Sequence, residues 1–141
     1  MATNQPIEPM NLRHYRAMAD FRYELRRFLR YSEQLARRHG VTPLQYQLLL
    51  QVKGYPGREH ATVGELAERL QAKHHGAVAL VCRCEEAGLV TKHVSEEDRR
   101  AVVVKLTRKG ERLIERLAQL HRNELLSIQG RILFPDPRSL E

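Results

Sequence analysis

The stretch that decides the fold runs from Thr62 to Thr107. It begins Thr62-Val63-Gly64-Glu65-Leu66-Ala67-Glu68-Arg69-Leu70, turns at Gln71-Ala72, and continues from Lys73 to Ala87 before Gly88. Thr62 and Glu65 stand at capping-box spacing, so a helix is expected to start at Val63. Gly88 suits the left-handed residue that ends a helix, so a second helix is expected over about 73–87. Two β-branched runs follow, Leu89 to Val94 and Ala101 to Leu106. They flank the charged tip Ser95-Glu96-Glu97-Asp98-Arg99-Arg100. Two helices joined by a tight turn and followed by a β-hairpin predict a winged helix-turn-helix. In such modules the second helix enters the major groove of DNA.

The rest of the chain is read outward from this stretch. At 141 residues it is expected to form one domain, residues 1–141, with enough length for a real core. Lys and Arg number 24 against 17 Asp and Glu, a formal net charge of +7 that suits a polyanionic partner. No apolar run approaches the roughly 18 residues of a membrane span, so no membrane association is expected. The polar start, Met1 to Pro9, has no signal-peptide core. Two cysteines, Cys82 and Cys84, do not make a disulfide framework. Together these features predict a cytoplasmic protein.

Met1 to Met10 reads as a loose arm. From Leu12 the apolar residues Tyr15, Met18, Phe21, Leu25, Phe28, Leu29, Leu35 and Ala36 recur at helical steps until His39-Gly40. The opposite face is dense in arginine, which serves solvation or DNA contact. The apolar face is longer than one small winged lobe can cover, so a partner chain is expected against it. Thr42-Pro43-Leu44-Gln45 opens the next helix, with Leu44, Leu48, Leu49 and Val52 as its buried stripe. Tyr55-Pro56-Gly57 breaks it, and a minimal strand near Ala61 is expected beside the wing. In the second helix of the central stretch, Ala77, Leu80, Val81, Cys84 and Ala87 should face the core. His74, His75, Val78, Ala79, Cys82, Arg83 and Glu86 should then lie nearer the outside. Thr107 caps a last long helix that reaches Ile128 or Gly130, with Leu113, Ile114, Leu117, Leu120, Leu125 and Ile128 as its stripe. Phe134-Pro135-Asp136-Pro137 cannot continue it.

An enzyme is not expected. There is no nucleophile with a triad context, no glycine-rich phosphate loop, and no carboxylate pair in an apolar setting. No cofactor is implied. The seven histidines include no His-x3-His pair on one helical face, so no metal site is expected. Cys82 and Cys84 point to opposite helix faces and cannot pair with each other. Cys84 reads as a small buried hydrophobe. Cys82 reads as an incidental exposed thiol or a redox switch on the outer face. At the wing, Asp98-Arg99-Arg100 can reach past the duplex backbone. An arginine there can enter the minor groove, with Asp98 bonding a neighbouring guanidinium.

Glu65 to Leu70, Leu80-Val81, Glu85 to Val90, Asp98 to Ala101, and Val104 to Gly110 in this order strongly resemble the MarR family of transcriptional regulators. Thr42 to Gln45 matches the start of the second helix in that family, and the resemblance spans roughly Leu12 to Leu126. It implies a mainly α fold: a winged helix-turn-helix over about 43–107, a two-stranded wing, and long dimerisation helices over about 11–40 and 108–133. It implies a homodimer that binds double-stranded DNA at a pseudo-palindromic operator, most often as a repressor. It also implies release by a small aromatic ligand or by cysteine oxidation. Phosphates are expected at Lys73, Arg83, Lys92 and the wing residues Asp98, Arg99 and Arg100, and bases at His74, His75, Val78 and Ala79. The candidate ligand residues are His14, Tyr15, Arg16 and Tyr46. The rival reading is a winged helix used for protein contact with no DNA target.

The sequence departs from the family pattern in two places. Where the family has Ser or Thr at the start of the recognition helix, this chain has Lys73-His74-His75-Gly76. Lysine is a poor cap, Gly76 weakens the first turn, and two histidines there favour a phosphate in front of them. Binding to DNA is therefore expected to strengthen as pH falls. The C-terminal prolines replace a further seam helix, and the N-terminal helix lacks the cysteine of the family's redox branch.

Overall fold

The computed structural model describes residues 9–127 and 137–141. The arm before Pro9, the helix end at Ile128 or Gly130 and the break over residues 134–136 lie outside the described residues. Helix α1 (Leu12–Arg38) is followed by α2 (Pro43–Lys53), strand β1 (His60–Thr62), α3 (Val63–Arg69) and α4 (His74–Glu86). Strands β2 (Val90–Val94) and β3 (Val102–Leu106), helix α5 (Arg108–Ser127) and a last helical turn, α6 (Pro137–Leu140), complete the order.

Local chemistry sets most of these boundaries. Asn11 caps α1 through a reciprocal pair: its side chain accepts from the His14 amide, and His14 Nδ1 accepts from the Asn11 amide, both at 3.2 Å. Thr42 and Gln45 make the same box at the start of α2, with Pro43 at the first helical position. Gly40 and Gly88 take φ of 78° and 74°, the left-handed region that ends α1 and α4.

The sheet order is β1-β3-β2, antiparallel throughout. The minimal strand lies beside the wing as expected, with Ala61 opposite Val104. The core fills the space between this sheet and α2, α3, α4 and α5. Leu48, Leu49, Val52, Ala61, Leu66, Val81, Cys84, Val104 and Leu117 are fully buried. Leu44, expected in the α2 stripe, is exposed; Tyr46, three-quarters of a turn from Leu49, is buried in its stead.

The joint between the wing and α5 is the tightest point. The Thr107 amide donates to the Leu89 carbonyl at 3.0 Å, and its hydroxyl donates to the Gly88 carbonyl at 2.6 Å. A Cβ on Gly110 would stand 2.2 Å from the Leu89 carbonyl oxygen, so α5 can start here only with glycine.

The long helices behave differently from the lobe. Of the expected apolar stripe of α1 only Leu35 and Ala36 are buried, with Ser32 and His14 beside them. Leu12, Tyr15, Tyr23 and Leu29 are exposed, and so are Leu125 and Leu126 on α5. The chain has no mass of its own to set against them, as the length of the stripe foretold.

Candidate nucleic-acid interface

The outer and inner faces of α4 divide as its spacing predicts. Ala77, Leu80, Val81 and Cys84 are buried, while His74, His75, Val78, Ala79, Arg83 and Glu86 are exposed and Cys82 is half-buried. The turn before α4 carries an unexpected feature. Gln71 has a φ of 52°, a left-handed conformation held by its side-chain amide, which donates to the Glu68 carbonyl at 2.8 Å.

The helix then begins without help. Lys73 occupies the cap position with extended dihedrals, and no side chain bonds the free amides behind it. Nothing stands within 4 Å of a Cβ built on Gly76, so the first turn opens onto free space. No acid lies in that turn.

The wing tip is held by its own backbone. Ser95 donates its amide to the Ala101 carbonyl at 3.0 Å, and the Asp98 amide reaches Ser95 Oγ at 3.2 Å. Asp98 accepts at 3.0 Å from the backbone amide of Arg100. This corrects the expectation that Asp98 holds a guanidinium: its carboxylate shapes the turn, because an aspartate easily bonds a backbone amide two residues on. Arg99 and Arg100 stay exposed, and no ion pair to either is seen among the described residues.

Between α4 and the wing lies a cleft of about 320 Å³. His74, Val78 and Cys82 line it from the helix, and Lys92, Asp98 and Arg100 from the wing. Five of the expected contact residues thus converge on one opening. Lys73, His75, Arg83 and Arg99 are exposed outside its lining. Sequence reasoning missed Thr62, Val63, Gly64, Ala101 and Val102 as further walls, since only the β1–β3 pairing and the α3 start bring them there. It also missed that Lys92 is engaged: its Nζ lies 3.4 Å from Glu85 Oε1 and 3.7 Å from Cys82 Sγ. The hydrogen bond with Glu85, and then the charge interaction with Cys82, raise the Lys92 pKa.

The candidate ligand residues are not brought together. His14 is buried and serves the α1 capping box; Tyr15 and Arg16 are exposed. Tyr46 is buried and stacks on His121, with ring centroids 4.6 Å apart and an interplanar angle of 8°. Phe28 and Tyr31 meet the same imidazole edge-on, Ser32 Oγ lies 2.8 Å from its Nε2, and its Nδ1 lies 2.7 Å from the Leu117 carbonyl. The clefts described here are lined by other residues. The signal for this cage was present, because His121 continues the stripe of Ile114 and Leu117 at helical spacing.

A model of the MarR family matches residues 39–101, from the end of α1 through α2, the helix-turn-helix and the wing tip. Residues 39–101 belong to the MarR family. The MarR-family fold also extends over the long helices. AbsC, a MarR family transcriptional regulator from Streptomyces coelicolor, superposes with a TM-score of 0.77 at 20% identity, covering 95% of this chain and 88% of its own. A MarR family protein from Bacillus stearothermophilus does so with a TM-score of 0.72 at 25% identity, covering 86% and 84%. A further MarR family transcription regulator reaches 28% identity with a TM-score of 0.71, covering 82% and 76%. No curated protein sequence matches the chain. The family is one of transcription regulators and not of enzymes. Among the described residues no helix is long and apolar enough to cross a membrane.

Proposed function

We propose that this protein is a cytoplasmic, sequence-specific DNA-binding repressor that grips a pseudo-palindromic operator as a homodimer. One observation carries the reading: the outer face of α4 and the arginine-bearing wing open on the same side, with His74 and Arg100 lining one cleft. A helix that enters the major groove then brings the wing to the neighbouring backbone and minor groove. His74, His75, Val78 and Ala79 face bases, where Val78 packs on thymine methyl groups. Lys73, Arg83, Lys92, Arg99 and Arg100 face phosphates and the minor groove, and Asp98 fixes the tip that carries the arginines.

Residues 43–107 act as the reading lobe, and residues 11–40 and 108–133 as the arms. The exposed apolar side chains on α1 and α5 support a second copy there, since Leu12, Tyr15, Leu125 and Leu126 are each at least half exposed. Two such lobes would sit roughly 34–36 Å apart, one turn of DNA. An aromatic effector at Tyr46 would have to displace His121 from its ring.

Selection of bound duplexes from a random pool tests the reading. The expected product is an inverted repeat whose binding weakens steeply with salt. Recovery of no shared sequence, with a chain that sediments as a monomer, would overturn it.

A further inference from the structure

The cleft between α4 and the wing holds a nucleophile that DNA reading does not use. Cys82 is half-buried on its wall, with Sγ 3.7 Å from Lys92 Nζ. Lys92 is steadied by Glu85 on the same helix as the cysteine, at 3.4 Å. The walls on either side are apolar: Val63, Val78, Val81, Ala101 and Val102. Such a cleft suits a small uncharged molecule, and an ammonium beside a thiol suits a reaction that ends by taking up a proton.

We propose that Cys82 is an acceptor site for small α,β-unsaturated aldehydes and ketones, which add to its sulfur inside this cleft. Sγ attacks the β-carbon and a C–S bond forms. The C=C electron pair moves onto the carbonyl as an enolate, and the α-carbon takes a proton from Lys92 Nζ, which water then restores. The product is a thioether, and no oxidant is consumed. Disulfide chemistry within the chain is closed, because Cys84 lies on the opposite face, fully buried, with its thiol pushed up to about 11 by burial. The adduct occupies the space between Val78 and Arg100, so it would push the wing away from the recognition helix. That consequence rests on the DNA-binding reading; the addition itself does not.

The experiment exposes the full chain to methyl vinyl ketone at neutral pH, without DNA, and follows the adduct by intact and peptide mass. Cys82 should be the modified cysteine, with Cys84 untouched in the folded protein. The rate should fall at least about tenfold in Lys92→Met, the low end of what a positioned proton donor supplies. Equal rates in the wild type, in Lys92→Met and in free N-acetylcysteine would overturn the site, as would an adduct at Cys84. A second arm asks whether the reagent releases a bound duplex and whether Cys82→Ser resists that release. If the adduct forms at Cys82 but no duplex is ever bound, the site stands and the DNA reading fails. If a duplex is bound and Cys82 stays unmodified, the reverse holds.

Discussion

The two helices of the helix-turn-helix begin in opposite ways. At the start of α3, Thr62 and Glu65 cap each other at 2.9 and 3.1 Å, and Arg58 and Tyr55 close on the same carboxylate. The Arg58 guanidinium also lies over the Tyr55 ring, 4.4 Å from its centroid. Burial alone would raise the Glu65 pKa, but the hydrogen bonds from Tyr55, Thr62 and Arg58 outweigh it and hold the carboxyl at about 2. At the start of α4, Lys73 caps nothing, Gly76 loosens the turn, and the first amides have no side-chain partner. The first helix is complete within the chain. The second has donors and a positive dipole end to spare, which is the condition of a site that a phosphate completes. Stability has been concentrated in the positioning helix and withheld from the reading helix.

The largest effect should come from breaking the finished end. Glu65→Ala removes an acceptor of several hydrogen bonds and should cost roughly 2 kcal/mol in urea unfolding, while the outer face of α4 keeps its residues. A loss under about 0.5 kcal/mol would mean the network adds little beyond the helix itself. The same carboxyl fixes an acid limit. Its folded pKa lies below the unfolded 4.5, so its stabilisation is present above that value and drains away as pH falls toward about 2. The wild type should therefore lose stability over that window, and Glu65→Gln should lose less there.

Completing the unfinished end should have a smaller effect of opposite sign. Lys73→Ser supplies a cap and should stabilise the fold by about 1 kcal/mol while weakening DNA binding through the lost cation. Gly76→Ala should add about 0.5–1 kcal/mol, since its Cβ meets open space. If the duplex backbone comes close to that turn, the same variant binds DNA less well, and unchanged affinity would place the contact elsewhere. The smallest effect concerns His74 and His75. Affinity should rise a few-fold as pH falls through the ordinary histidine range near 6.5, and the rise should vanish in the double glutamine variant. A flat profile in the wild type would remove the histidines from the phosphate contact.

Much of this arrangement was legible from residue order. The capping boxes at Thr42 and Thr62, the glycine stops at Gly40 and Gly88, and the two faces of α4 all depend on neighbours within four residues. Local hydrogen bonds and the 3.6-residue period are properties a sequence displays directly. The contact residues of the wing were legible for the same reason, as a charged tip between two β-branched runs. The role of Asp98 was not, because a carboxylate beside two arginines reads equally as a salt bridge or as a cap for a backbone turn. Leu44 was misplaced because the α2 stripe could be drawn through either of two adjacent rows.

What the sequence by itself determined is the set of elements, their boundaries and the division of α4 into a core face and a reading face. Only the tertiary structure decided what stands opposite what. Tyr46 meets His121 across 75 positions of chain, Cys82 meets Lys92 across a helix–strand gap, and Leu89 leaves room at Gly110 for no side chain at all. Those meetings depend on how the sheet seats α4 and α5, a matter of summed packing that no short window of residues contains.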